Sequence, residues 1–164
     1  MTQTTADRVA AWRRVGPPLA WAFRVALGVI FIVAAAPKLA QPDAFAWSIA
    51  HYRLVPDELI NALAICLPWI ELTAGVALVL GVAIRANLAL VAAMLAVFIG
   101  AIGSAMARDL DISCGCFATG ANAAAMTHAT LTWDIIWLAM TLFALRFDRG
   151  LFSVASWRRR NDRS

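Results

Sequence analysis

Two cysteines separated by a single glycine, Cys114-Gly115-Cys116, are the residues of this chain best suited to chemistry. Gly115 lets the backbone turn sharply enough for a small, bent disulfide between them. Such a bond is strained and therefore oxidising, which suits thiol exchange better than structural stapling. The same pair can instead hold a soft metal through two thiolates, or stand as free thiols. The third cysteine, Cys66, lies inside an apolar run and reads as a small buried apolar residue. Three cysteines are too few, and the count is odd, for a secreted disulfide framework. His51 and His128 fall on the same side of the membrane as the cysteine pair. Isolated histidines in connecting segments are more often solvated than ligating, so no metal site is assigned.

A second set of reactive groups lies at membrane depth. Glu71 falls about halfway along an apolar run, in Leu67-Pro-Trp-Ile-Glu71. A charged carboxylate there costs about 2.5–3.5 kcal/mol on insertion scales, so it needs the bundle interior and a partner or a proton. Lys38, at the outer end of an earlier run, is the natural cation for it if the chain bends at Pro37 and Pro68. A structural ion pair and a functional role are equally compatible with this pattern. Asp134 sits just inside the last apolar run, where a helix-start carboxylate meeting the positive end of the macrodipole is the simplest reading.

These groups must be positioned by membrane helices. The chain has 164 residues, 62% of them hydrophobic, and a mean hydropathy of +0.75, whereas a soluble domain is usually near half apolar. Four apolar stretches run from Leu19 to Ala36, Leu59 to Gly81, Ala86 to Ala107 and Leu131 to Phe147. Each is about long enough to cross a hydrocarbon core ~30 Å thick, and none shows the alternation a barrel strand requires. The expected fold is an all-α membrane protein: a four-transmembrane-helix bundle with a short interfacial helix after the first span. That helix, Asp43 to Arg53, repeats Phe45, Ile49 and Tyr52 at helical spacing between Pro42 and Pro56. Trp12, Trp133 and Trp157 fall where an aromatic belt is expected. The first span resembles a signal peptide at Ala34-Ala35-Ala36, but Pro37 blocks cleavage there, so it is read as a retained helix.

Arginine and lysine set the orientation. Arg8, Arg13, Arg14, Arg24, Arg85, Arg146, Arg149, Arg158, Arg159, Arg160 and Arg163 gather on one side, against Lys38, Arg53 and Arg108 on the other. The positive-inside rule then puts both termini in the cytoplasm and the Cys-Gly-Cys loop in the periplasm of a bacterial inner membrane. Residues 1–18 form a cytoplasmic flank, 19–147 the membrane domain and 148–164 a basic cytoplasmic tail. The net charge of +4 sits in these flanks rather than on an aromatic-studded face, so nucleic acid is not an expected partner.

The motifs resemble the MauE family of methylamine-utilisation membrane proteins, within the wider DoxX-like group. The matching pieces are Arg24-Val-Ala-Leu-Gly-Val-Ile-Phe, Pro37-Lys38-Leu39, Pro42-Asp-Ala-Phe45 and Tyr52-Arg-Leu-Val-Pro56. Leu67-Pro-Trp-Ile-Glu71 and Asp111-Ile-Ser-Cys-Gly-Cys-Phe117 are the most specific. Ala35, Ala118 and Trp133 depart from residues common in the family. The resemblance implies a part in producing or maturing the disulfide-rich small subunit of methylamine dehydrogenase, alongside a thioredoxin-like partner.

The expected function is therefore periplasmic thiol–disulfide redox chemistry, with Cys114 and Cys116 catalytic. Lys38, Glu71, Tyr52 and Asp134 support them, and Trp69 is expected as a neighbour. The expected partners are the lipid bilayer, a periplasmic thioredoxin-like protein and a disulfide-containing client. A quinone is one acceptor for the electrons, by analogy with other four-helix thiol oxidants, although no residue requires it. Soft-metal handling or transport through the Cys-Gly-Cys loop, and non-catalytic assembly, are the alternative functions.

Overall fold

A computed structural model describes the backbone of residues 3–108, 128–148, 150 and 153, with side chains from residue 15 in the first stretch and from 129 in the second. Cys114 and Cys116 lie outside the described residues, as does most of the basic tail. Among the described residues the secondary structure is helical throughout: α1 (Gln3–Ala40), α2 (Pro42–His51), α3 (Asp57–Leu80), α4 (Ile84–Ala107) and α5 (His128–Phe147). Four segments are long and apolar enough to cross a membrane: Val15–Ala40, Asp57–Leu80, Ile84–Ala107 and Ala129–Phe147. The protein is an all-α, multi-pass membrane bundle. Even the shortest span, of 19 residues, reaches about 28 Å at ~1.5 Å per residue, close to the thickness of the hydrocarbon core.

The helices extend beyond the apolar runs. α1 continues without a break through Pro17, Pro18 and Pro37. Each proline removes a backbone donor, a loss that membrane helices tolerate when neighbouring groups satisfy the freed carbonyl. The carbonyl of Pro37 itself accepts from Gln41 N at 3.0 Å, closing the last turn before α2 begins at Pro42. Asp57 and Glu58 open α3, where the macrodipole favours negative charge. α3 ends at Gly81, which takes the left-handed conformation at φ 71°. Val82 N then reaches back to the Ala77 carbonyl at 2.8 Å, as Schellman ends do. Asn87 donates to the Val82 carbonyl at 3.0 Å, fastening the tight α3–α4 turn.

α1 and α3 make the most extensive contact in the bundle, while α4 packs on α5. Small residues permit the first contact. A Cβ on Gly28 would lie 2.8 Å from the Gly75 carbonyl oxygen, and one on Gly75 would lie 2.7 Å from that of Gly28. The two backbones thus touch through paired glycines, the device by which membrane helices approach closely. Around this crossing Leu27 and Phe31 of α1 meet Ala74 and Leu78 of α3, with Leu88 and Val91 of α4 and Ala144 of α5 completing the core. The outward faces stay apolar, exposing Val33, Ile65, Val97 and Ile135. A helix apolar all round suits lipid outside and protein inside.

At the end of the bundle where α3 meets α4, Arg24 is fully buried. Its Nε lies 3.4 Å from Asp148 Oδ2. Asp148 Oδ1 in turn accepts from Gly150 N at 2.6 Å. Phe23 and Phe143 meet edge to face alongside, with ring centroids 5.5 Å apart.

Candidate functional site

At the opposite end of the bundle, four of the sequence-derived polar residues converge. Lys38, in the last turns of α1, donates from Nζ to both carboxylate oxygens of Glu71 on α3, at 2.6 and 2.7 Å. Both side chains are almost wholly buried, at 2% and 3% exposure. The pair forms with Pro37 and Pro68 inside continuous helices, one residue before Lys38 and three before Glu71. An ion pair at that depth lowers the cost of burying each charge, and its two short bonds hold both side chains in one geometry.

Aromatic rings close over the ammonium. Lys38 Nζ sits 5.2 Å from the centroid of Phe45 on α2 and 5.4 Å from that of Phe98 on α4. Each face offers electron density to a desolvated cation. Neither contact was anticipated from the sequence. Phe45 was legible only as part of an amphipathic face, and Phe98 is one apolar residue in an apolar run.

Of the two sequence readings of Asp134, the structure overturns the helix-start charge. The side chain is 3% exposed, and it shares with Lys38 and Glu71 the wall of a cavity of about 30 Å³. Its Oδ2 has no hydrogen-bond partner among the described residues. The reason is geometric: α5 begins at His128, so residue 134 is already more than a turn inside the helix. The site therefore sets one ammonium against two carboxyl groups, with Phe31 and Trp137 also around the cavity.

Tyr52, the C-cap of α2, is buried beside Ile102 and Ala105. Burial, and secondarily the nearby charge of Asp134, pushes its phenol up to about 12, so the hydroxyl keeps its proton across the physiological range. The Tyr52 carbonyl accepts from Arg108 Nη2 at 2.6 Å, and Arg108 also donates from Nε to the Ser104 carbonyl at 3.1 Å. This arginine, the C-cap of α4, ties the start of the connection that carries Cys114 and Cys116 to the end of α2. Arg53 follows at φ 50°, turning the chain toward Pro56.

Two other expectations are corrected. Trp69 is 55% exposed on the outer face of α3 and is not a neighbour of the Lys38–Glu71 pair. It lies two residues from Glu71, about 200° around a helix of 3.6 residues per turn. Cys66 is a free, exposed cysteine rather than a buried one, on the lipid-facing side of the same helix. His51 turns back along α2, with Nδ1 2.7 Å from the Trp47 carbonyl and its ring 3.7 Å from that of Trp47. Among the described residues no group of three His, Cys, Asp or Glu side chains is arranged to hold a metal ion.

The family model described as "Methylamine utilisation protein MauE" matches residues 17–147, which include all of these buried groups. A methylamine utilization protein MauE of Paracoccus denitrificans is 31% identical over 84% of this chain and 72% of its own length. Those of Methylorubrum extorquens and Methylophilus methylotrophus are each 35% identical, over 59% and 61% of this chain. The chain spans about half the length of these last two, 53% of each. No solved structure matches. With the match running from the start of the first span to the end of the last, the chain belongs to the MauE family.

Proposed function

We propose that this protein performs thiol–disulfide exchange on the periplasmic side of a bacterial inner membrane, using Cys114 and Cys116. It would act with a thioredoxin-like protein on a disulfide-containing client. The relatives' names suggest methylamine utilisation as the setting, with the small subunit of methylamine dehydrogenase as the client to test first. The observation that carries this reading is the anchoring of Arg108 to the Tyr52 carbonyl. It joins the root of the cysteine-bearing connection to a buried polar layer. Lys38, Glu71, Asp134 and Tyr52 serve as positioning residues, holding α1, α2, α3 and α5 in fixed register beneath that connection.

In the exchange, a thiolate of the reduced partner attacks one sulfur of the Cys114–Cys116 disulfide and forms a mixed disulfide. The partner's second thiol then displaces it. The partner leaves oxidised, and Cys114 and Cys116 remain as thiols, two electrons and two protons richer.

Trapping tests the proposal. Cys114→Ser and Cys116→Ser should each abolish client maturation, and one of them should accumulate a covalent adduct with a thioredoxin-like protein. Alkylation before and after mild dithiol treatment should show the wild-type pair oxidised at rest. Freely alkylated cysteines with stoichiometric copper or zinc would establish a metal site instead, and fully functional mutants would indicate a non-catalytic assembly role. Reporter fusions at the C-terminus and after Gly81 should read cytoplasm, and fusions within 109–127 periplasm. The reverse result would remove the oxidising compartment on which the chemistry depends.

A further inference from the structure

A cavity of about 510 Å³ lies where α2, α3 and α4 meet, apart from the small polar one. Its volume is within the range of small-molecule sites, ~300–1,000 Å³. Leu63 and Leu67 of α3 and Ala93 and Val97 of α4 line its α3–α4 side. Phe45, Ser48, Tyr52 and Phe98 gather toward the α2 end. Val97 and Leu54, both among its lining residues, are exposed by 72% and 49%. The cavity therefore opens sideways, where lipid surrounds the bundle. Ser48 and Tyr52 are the only polar side chains among its described lining residues.

The occupant must be amphipathic in a particular way. A phospholipid headgroup would bring charge, and the described lining offers none to meet it. The Ser48 hydroxyl already donates to the Ala44 carbonyl at 3.0 Å, and a bare acyl chain gains nothing from a phenol and two further aromatic rings. A flat, uncharged ring carrying carbonyls or hydroxyls, with an apolar tail, fits both ends. We propose that this cavity binds a lipid-soluble quinone, its ring among Phe45, Tyr52 and Phe98 and its isoprenoid tail running past Leu67, Ala93 and Val97 toward the lipid.

The chemical role of this site rests on the thiol-exchange reading of Cys114 and Cys116; the binding does not. After an exchange the loop holds two thiols and needs a two-electron acceptor. As the S–S bond reforms and two S–H bonds break, two electrons and two protons pass to the quinone. Its two carbonyl oxygens become hydroxyls, and a quinol leaves through the lipid opening. Phe98 lines both cavities, so one ring separates the quinone from Lys38, Glu71 and Asp134. The root of the cysteine connection is equally near. Arg108 is bonded to the Tyr52 carbonyl, and Cys114 follows six residues later, a reach of at most ~22 Å.

The test is photolabelling of the full-length protein in phosphatidylcholine nanodiscs by an azido-benzoquinone bearing a decyl tail. Labelling should saturate, be competed by decylubiquinone and map by mass to α2 or to residues 93–101. Ala93→Phe and Ala101→Phe, which fill the cavity, should each reduce specific labelling about ten-fold. Ala96→Phe, on the exposed face of α4 outside the cavity, should leave it unchanged. Thermal midpoints measured alongside confirm that each variant is folded. Labelling spread evenly over the lipid-facing helices, insensitive to decylubiquinone, or undiminished in both folded cavity variants would overturn the site. Cys114→Ser and Cys116→Ser should label like the wild type. If they do so and still mature the client, the thiol reading fails while the quinone site stands. If they are inactive and the wild type takes no specific label, the quinone site fails alone.

Discussion

Replacing Glu71 by glutamine would leave Lys38 with its ammonium buried at membrane depth and its principal partner gone. The wild-type pair has two contacts of 2.6 and 2.7 Å and both side chains shielded from solvent. Removing one member of a buried, hydrogen-bonded pair costs about 3–5 kcal/mol, mostly from the charge left behind. At roughly 2–4 °C per kcal/mol for a chain of this size, the unfolding midpoint should fall by about 6–20 °C. Asp134 sets the position within that range, because its charge also reaches Lys38 and can take over part of the pairing. Glu71→Gln combined with Asp134→Asn should therefore be worse than the sum of the single changes. Combining Glu71→Gln with Lys38→Met should recover most of the loss. Glu58→Gln, on the exposed first turn of α3, should shift the midpoint by no more than a degree or two. The assay is thermal unfolding in detergent, read by loss of monodisperse protein on a sizing column. A midpoint for Glu71→Gln within two degrees of wild type, or no recovery with Lys38→Met, would refute the buried-pair reasoning.

Three further outcomes are expected. Gly75→Leu should lower the folded yield severely and Gly75→Ala should lower stability by about 1–3 kcal/mol, since even a Cβ there would meet the Gly28 carbonyl at 2.7 Å; Gly100→Ala, with open space around it among the described residues, should be silent in the same unfolding assay. Tyr52 is the sole tyrosine, so absorbance at 295 nm follows it alone and should titrate near 12 in the folded protein and near 10 after unfolding. Because its folded value is the higher one, the stabilisation is complete below about pH 10 and is lost between about 10 and 12, roughly 2–3 kcal/mol in all. Tyr52→Phe should abolish that alkaline loss.

The spans and the short helix after the first were legible in the sequence because their signals are local: apolar length, and an amphipathic repeat between two prolines. The Lys38–Glu71 pair was legible for a different reason. A charge in the middle of a span must be compensated, and few partners are available. Asp134 was expected among the supporting residues, but its helix-start reading failed because a carboxyl near the start of an apolar run looks the same whether the helix begins beside it or a turn earlier. Trp69 and Cys66 were misread because nothing in a uniformly apolar helix distinguishes its lipid-facing side from its protein-facing side. Phe98 and the large cavity were invisible, since both depend on how α2, α3 and α4 are spaced. The partner of Arg24 was missed because Asp148 stands just beyond the last apolar run, where it reads as one flanking charge among many.

That last contact constrains the order in which the molecule is built. Arg24 lies in the first of the four described spans, while Asp148 follows the fourth. Through most of synthesis the first helix must carry its arginine without this carboxylate, either held near the headgroups or shielded by the insertion machinery. The Arg24–Asp148 contact itself can form only when the end of α5 arrives. The α1–α3 glycine crossing, one turn beyond Arg24, needs nothing from α5 and can form before it. Chains halted before residue 148 should consequently remain substrates for membrane quality control even though all four described spans have already been made.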